Sequence, residues 1–290
     1  MPDTLQTPKT PETPRGVVRG APSESSWAPL KRLQRILVQT AGIAVLVGAW
    51  FLVTELKLWS EVIVPRPSAV WAALLDATST RDGQRGLSGY LLWEHLGASL
   101  ARVLQGLFWG IVVGVPLGLL LGTVPWFRVA SEPFVNFVRS LPPLAYFSLL
   151  IIWFGIDDTS KIWLLFLAAF APIAIATMAG VEAVRRQRVE AARSLGASNR
   201  QVLVHTVLPS ALPDIFTGVR LAVGFAWTTI VAAETSNGIP GIGGLAWSTK
   251  KELRTDVAIL CVIVIGITAI ALDSVVRTAE RLIVPWKGKG

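Results

Sequence analysis

Charge is scarce in this chain. Of its 290 residues, 16% are Asp, Glu, Lys or Arg, whereas a soluble domain carries about a quarter. The deficit excludes an ordinary water-soluble globule. With 52% hydrophobic residues and a mean hydropathy of +0.55, the composition is that of a polytopic membrane protein lying in a lipid bilayer. Cys261 is the only cysteine and lies inside an apolar run, so one chain can build neither a disulfide nor a thiolate metal site. The only histidines, His95 and His205, are far apart without ligand-like neighbours and read as plain polar residues. No nucleophile–base set and no metal-spaced cluster occurs, so the expectation is no catalytic residue and no metal. No G-x-x-x-x-G-K-[ST] occurs either, which leaves the chain without an ATP site of its own. The net charge of +8 invites comparison with nucleic-acid binders. Its basic residues, however, are spread between apolar runs, as in membrane topology signals, so no nucleic-acid partner is expected.

What is present is an alternation of apolar runs and polar loops. Residues 1–30, rich in Pro, Thr, Ser and Arg, read as a disordered cytoplasmic tail rather than a cleavable signal. Residues 31–290 read as one all-α transmembrane domain. Six spans are predicted over 36–54, 99–124, 135–156, 162–184, 215–234 and 257–276, each near the ~20 residues a bilayer requires. The third is interrupted by Pro142 and Pro143, which must kink or break it. Backbone freed at membrane depth is tolerated where it lines a watery path, so Ser140, Pro142, Pro143, Thr228 and Thr229 are the candidate path residues. With the N-terminus inside, 16 Lys and Arg fall in the inner segments and 8 in the outer loops, so both termini and loop 185–214 are expected in the cytoplasm. The outer loop 55–98 holds an amphipathic stretch near 69–76 that can lie along the membrane surface.

Four features need separate reading. Gly106, Gly110, Gly114, Gly118 and Gly122 recur every four residues, a small-residue ridge that admits a closely packed helix. Gly241, Gly243, Gly244 and Ala246 match G-x-G-x-x-A, but after a membrane span rather than a strand; nucleotide binding is rejected in favour of a tight re-entrant turn over 238–244. Asp157 and Asp158 read as a helix cap. Among polar residues in spans, Arg102, Arg139, Ser140, Arg220, Thr228, Thr229, Glu234 and Asp273, the end-lying Arg102 and Asp273 are expected to snorkel.

The segment 190–213, EAARSLGASNRQVLVHTVLPSALP, is the most informative. A first short helix over 189–195 ends at Gly196, which suits a left-handed cap. A second starts at Ser198, where Ser198 and Gln201 have capping-box spacing. Pro209 and Pro213 are expected to prevent simple helical continuation.

This segment resembles the EAA loop of ATP-binding-cassette (ABC) importer permeases, whose pattern is E-A-A, three residues, G, nine residues, I-x-L-P. Glu190, Ala191, Ala192, Gly196, Leu208 and Pro209 fall on it, and Thr206 stands where the family usually has an aliphatic residue. Further likeness over 140–145, 153–161, 231–234 and 285–286, and a P-x-P-x-x-V segment at Pro65, Pro67 and Val70, extends the resemblance to about 35–286, nearest the taurine and alkanesulfonate branch. It implies a type I importer fold in the bacterial inner membrane. Two permease copies would form the path. Two cytoplasmic ATPases would hold ATP and Mg, with no cofactor in this chain, and an external binding protein would deliver cargo. Glu190, Ala191, Ala192, Arg193 and Leu195 would form the helix entering an ATPase groove, Gly196 the turn behind it, and Leu208 and Pro209 the anchor to the bundle. The implied cargo is taurine or another alkanesulfonate; nitrate, bicarbonate or a vitamin precursor shares the scaffold. An ion-coupled secondary transporter would instead call for midmembrane carboxylates or an inverted repeat, and neither is seen.

Overall fold

The computed structural model describes residues 32–81 and 83–287; the expected tail lies outside the described residues. Among the described residues the regular elements are helices and one antiparallel ribbon with two residues in each strand. In order come α1 (Arg32–Glu55), α2 (Pro67–Thr78), β1 (Thr80–Arg81), β2 (Gln84–Arg85), α3 (Leu92–Thr123), α4 (Pro125–Ser140), α5 (Pro143–Phe154) and α6 (Asp158–Glu182). Then follow α7 (Arg186–Ser194), α8 (Asn199–Val202), a wide π turn (Leu203–Val207), α9 (Leu208–Asn237), α10 (Ile242–Glu252) and α11 (Thr255–Ile283). The chain divides after Leu52 into two compact units; the second holds every element from α2 on. Five helices are long and apolar enough to cross a membrane, and α4 with α5 makes a sixth candidate bent by 97°.

Prolines set these boundaries. The residue before a proline is pushed out of the helical region, so Val124 (φ −118°, ψ 98°) ends α3 and Pro125 opens α4 at once. The expected loop 125–134 is therefore helix. Leu141 and Pro142 are both extended for the same reason, and Pro143 sits in the first turn of α5. The predicted break in the third span is thus two successive extended residues. The amphipathic stretch near 69–76 is helix α2, opened by Pro67 and burying Val70, Ala73 and Ala77.

α6 is the central post, flanked by α3 and α9. The five-glycine ridge of α3 faces it along its length. A Cβ on Gly106 would lie 2.4 Å from Leu165 Cβ, on Gly118 2.4 Å from the Ala174 carbonyl oxygen, and on Gly122 2.6 Å from Val181 Cβ. The helix that this ridge admits is therefore in the same chain. At Gly114 a Cβ would meet the Phe170 carbonyl oxygen at 2.8 Å and Ile173 at 3.1 Å. Gly114→Leu should destabilise the transporter by about 1–3 kcal/mol through overpacking. The purified assembly should melt at lower temperature and in lower yield; wild-type values for both would mean that α3 and α6 are not in this contact.

Candidate functional site

The polar loop between α6 and α9 folds by strictly local rules. α7 ends in a Schellman motif: the Gly196 N–H donates to Arg193 O (2.9 Å) and the Ala197 N–H to Ala192 O (3.1 Å), with Gly196 at φ +84°. Ser198 then caps α8. Its Oγ accepts from the Gln201 N–H at 3.4 Å, and Gln201 Oε1 accepts from the Ser198 N–H at 2.8 Å. The underside of the loop is apolar. Val189, Ala192, Ala197, Leu203 and Leu208 pack on Val181, Val202, Val207, Ala211 and Ile215. Glu190, Ala191, Arg193 and Leu195 are exposed, Leu195 to 89% at the tip. Of the residues expected to meet a partner, Ala192 thus belongs to the inner face. The result is a short helix on a rigid turn, glued to the bundle along one side and presenting a leucine and a carboxylate on the other.

Pro209 and Pro213 do not stop the chain, contrary to expectation. α9 starts at Leu208 and runs through Pro213 to Asn237. Helix runs unbroken from Asn199 through the π turn to Asn237, and the wide turn, in which the Leu208 N–H donates to Leu203 O, accommodates Pro209, which has no N–H to give. Pro213 removes one bond from a helix held by its packing on α6.

A second region lies at the α4–α5 break. A cavity of about 520 Å³ is walled by Arg139, Ser140, Leu141, Pro143 and Tyr146 from the break, by Pro172 and its neighbours on α6, and by Leu221 and Phe225 of α9. Ser140 and Pro143 line it; Pro142, Thr228 and Thr229 do not. The Thr228 hydroxyl bonds back to Gly224 O and Phe225 O of its own helix, and Thr229 is buried.

The third region is one that sequence reasoning misjudged. Where α6 begins and α9 ends, Arg102 is buried rather than snorkelling. Its Nη1 donates to Glu234 Oε1 at 2.6 Å and its Nε to Asp158 Oδ1 at 2.7 Å. Arg102 stands at the eleventh residue of α3, because the helix starts seven residues before the predicted span. Glu234 is wholly buried and accepts further from the Gly243 N–H (2.9 Å), with Ser99 Oγ 2.8 Å from both its oxygens. Ser99 accepts in turn from the Ile242 N–H at 3.0 Å. Asp157 stands at the N-cap of α6 without a side-chain cap bond, and Asp158 pairs with Arg102 and Lys161. Lys161 also donates to the Asn237 carbonyl. His95, far from being a plain polar residue, is fully buried: Nδ1 lies 3.1 Å from the Gly241 N–H and Nε2 3.1 Å from Leu87 O. Nδ1 lies equally 3.1 Å from the Gly241 carbonyl oxygen, so which Gly241 group it bonds depends on which ring nitrogen carries the hydrogen. The expected turn over 238–244 is thus bound to α3 by side chains, and it leads into α10, a helix absent from the six-span reading. Asp273 likewise does not snorkel; it pairs with Arg220 and Arg277. Among the described residues no group of acids, histidines and cysteine is placed to hold a metal ion.

Residues 110–289 match the family model described as binding-protein-dependent transport system inner membrane component. The taurine transport system permease protein of Escherichia coli is 41% identical over 261 residues, 90% of this chain and 93% of that one. A putative aliphatic sulfonates transport permease of the same organism is 35% identical over 83% of this chain and 88% of its own. The bicarbonate transport system permease protein of Synechocystis is 32% identical over 91% and 94%. Among solved structures, the MetNI methionine ABC transporter in inward-facing form superposes with a TM-score of 0.53 at 23% identity, covering 64% of this chain and 96% of that one. That likeness shows the fold.

Proposed function

The chain belongs to the binding-protein-dependent transport system inner membrane components, the permease subunits of ABC importers, and from that premise we propose that it carries taurine or another alkanesulfonate across the bacterial inner membrane. The observation that carries the cargo assignment is the 41% identity to a taurine permease along nine tenths of the chain, joined by a sulfonate permease at 35%. The bicarbonate relative at 32% keeps a second reading in play, a small inorganic anion on the same scaffold.

In this reading two copies of the chain form the path, and an external binding protein loads it. Two ATPase subunits, which hold ATP and Mg, dock on loop 185–214 from the cytoplasm. Glu190, Ala191, Arg193 and the exposed Leu195 meet the ATPase. Gly196 fixes the angle of that helix, and Leu208 and Pro209 tie its motion to α9. The cavity at Ser140 and Pro143 is the part of the path this chain contributes.

The cargo is tested by deleting this permease in its own host, with no redundant uptake system present, and growing the cells on taurine as sole sulfur source. Growth should fail and return with the gene. Unimpaired growth on taurine and on short alkanesulfonates would remove the sulfonate assignment, and bicarbonate-limited growth would then be measured.

A further inference from the structure

Beside the coupling helix lies a cleft that the import reading leaves without a task. It has a volume of about 720 Å³. Its walls are Arg185, Arg188 and Ala191 from α7 and its entry, His205 and Thr206 from the π turn, Pro209, Ser210 and Pro213 from the start of α9, and Trp286 and Lys287 just past α11. No carboxylate lines it. Lys287 is balanced by Glu280. Neither the Arg185 nor the Arg188 guanidinium makes an ion pair among the described residues, and both are exposed. Arg185 and Arg188 are three apart, so both reach the same side of the turn that opens α7. Thr206 and Ser210 add two hydroxyls. Thr206 is also the position where this loop departs from the aliphatic residue of the EAA pattern, and the departure falls in the wall of the cleft.

We infer that this cleft binds the phosphate headgroup of an anionic phospholipid of the cytoplasmic leaflet. Two unpaired guanidiniums and two hydroxyls are the donors a phosphodiester takes. Three features favour a lipid over a free phosphate. The cleft lies where two spans, α9 and α11, reach the polar loop. Trp286 is half exposed at its edge, the residue type that settles at a membrane–water interface. Leu282 and Ile283, one turn before it, are 77% and 52% exposed and offer apolar surface to acyl chains. Basic pockets between spans on the cytoplasmic side suit such headgroups. The inference rests on the cytoplasmic placement of loop 185–214 proposed above. The bound lipid would brace the base of the coupling helix, and of the residues assigned to the ATPase contact Ala191 alone borders the cleft.

The test is titration of the purified full transporter in detergent with phosphatidylglycerol and, in parallel, phosphatidylcholine, read by native mass spectrometry. ATPase co-purification is scored in the same samples. The wild type should retain phosphatidylglycerol over phosphatidylcholine. R185Q/R188Q should bind phosphatidylglycerol about 30-fold more weakly, the equivalent of about 2 kcal/mol for two lost charges near the surface. R185K/R188K should recover most of it, and Thr206→Val should weaken it a few-fold. Equal retention by wild type and R185Q/R188Q overturns the proposal. So does displacement of the lipid by inorganic phosphate, which assigns the cleft to a soluble anion. ATPase co-purification should survive in R185Q/R188Q; its loss there, with lipid retention unchanged, would assign the two arginines to the ATPase contact and overturn the lipid site while leaving the coupling reading standing.

Discussion

Arg102→Ala should be the most damaging single change in this protein. Glu234 has no exposed side-chain surface, and among the described residues Arg102 is its only ion-pair partner. Removing one side of a buried, hydrogen-bonded pair leaves the other charge uncompensated and costs about 3–5 kcal/mol. The Asp158 contact, whose carboxylate is 57% exposed, adds little because water screens it. The network joins α3, the end of α9 and the start of α10, so its loss should free α10 from the bundle. We expect a large drop in the melting temperature of the purified transporter and a poor yield from membranes. The double variant Arg102→Leu with Glu234→Leu should regain much of the stability, since an apolar pair leaves no stranded charge. A single Arg102→Ala variant that melts like the wild type would show that Glu234 is not buried beside Arg102.

Gly196→Val should uncouple transport while sparing insertion. Gly196 has φ +84°, a region where a β-branched residue is strained by about 1–3 kcal/mol. A Cβ there would meet nothing within 4 Å, so the penalty is purely conformational. To escape it the turn must reopen, which breaks the two Schellman bonds and re-aims Leu195. Gly196→Asn, which tolerates the left-handed region, should be mild, and Glu190→Ala should be intermediate. The measurements are ATPase co-purification and uptake in proteoliposomes. Full docking and full uptake by Gly196→Val would sink the coupling role of residues 190–209. Because no span is altered, its abundance in membranes should match the wild type.

These two sites differ in how legible they were in the sequence. The turn over 194–201 was readable because its signals are local: Gly196 lies two residues past the end of α7, and Ser198 and Gln201 cap one turn, whereas the inward face of Ala192 was not marked. The glycine spacing on α3 announced a close contact, but its partner, α6, is a tertiary fact that periodicity does not encode. The buried network was half visible. Arg102 and Glu234 stood out as ionisable residues in apolar runs, yet Ser99 and His95 act across 135 and 146 residues of chain and carry no local mark. Arg102 was misread because α3 begins before its apolar run does. Pro209 and Pro213 were misread because a wide π turn and packing on α6 let the helix run through them.

The contact between α3 and α6 has a mechanical consequence. At five successive teeth the bare glycine backbone of α3 takes in Leu165, Ala169, Ile173, Thr177 and Val181 of α6, which fill the notches left by the missing side chains. Such a rack cannot creep; the next register in which glycines again face the post lies four residues, or about 6 Å, away. The two helices must therefore travel as a single beam during a transport cycle, and the bending must be taken up elsewhere, at joints such as Leu141–Pro142.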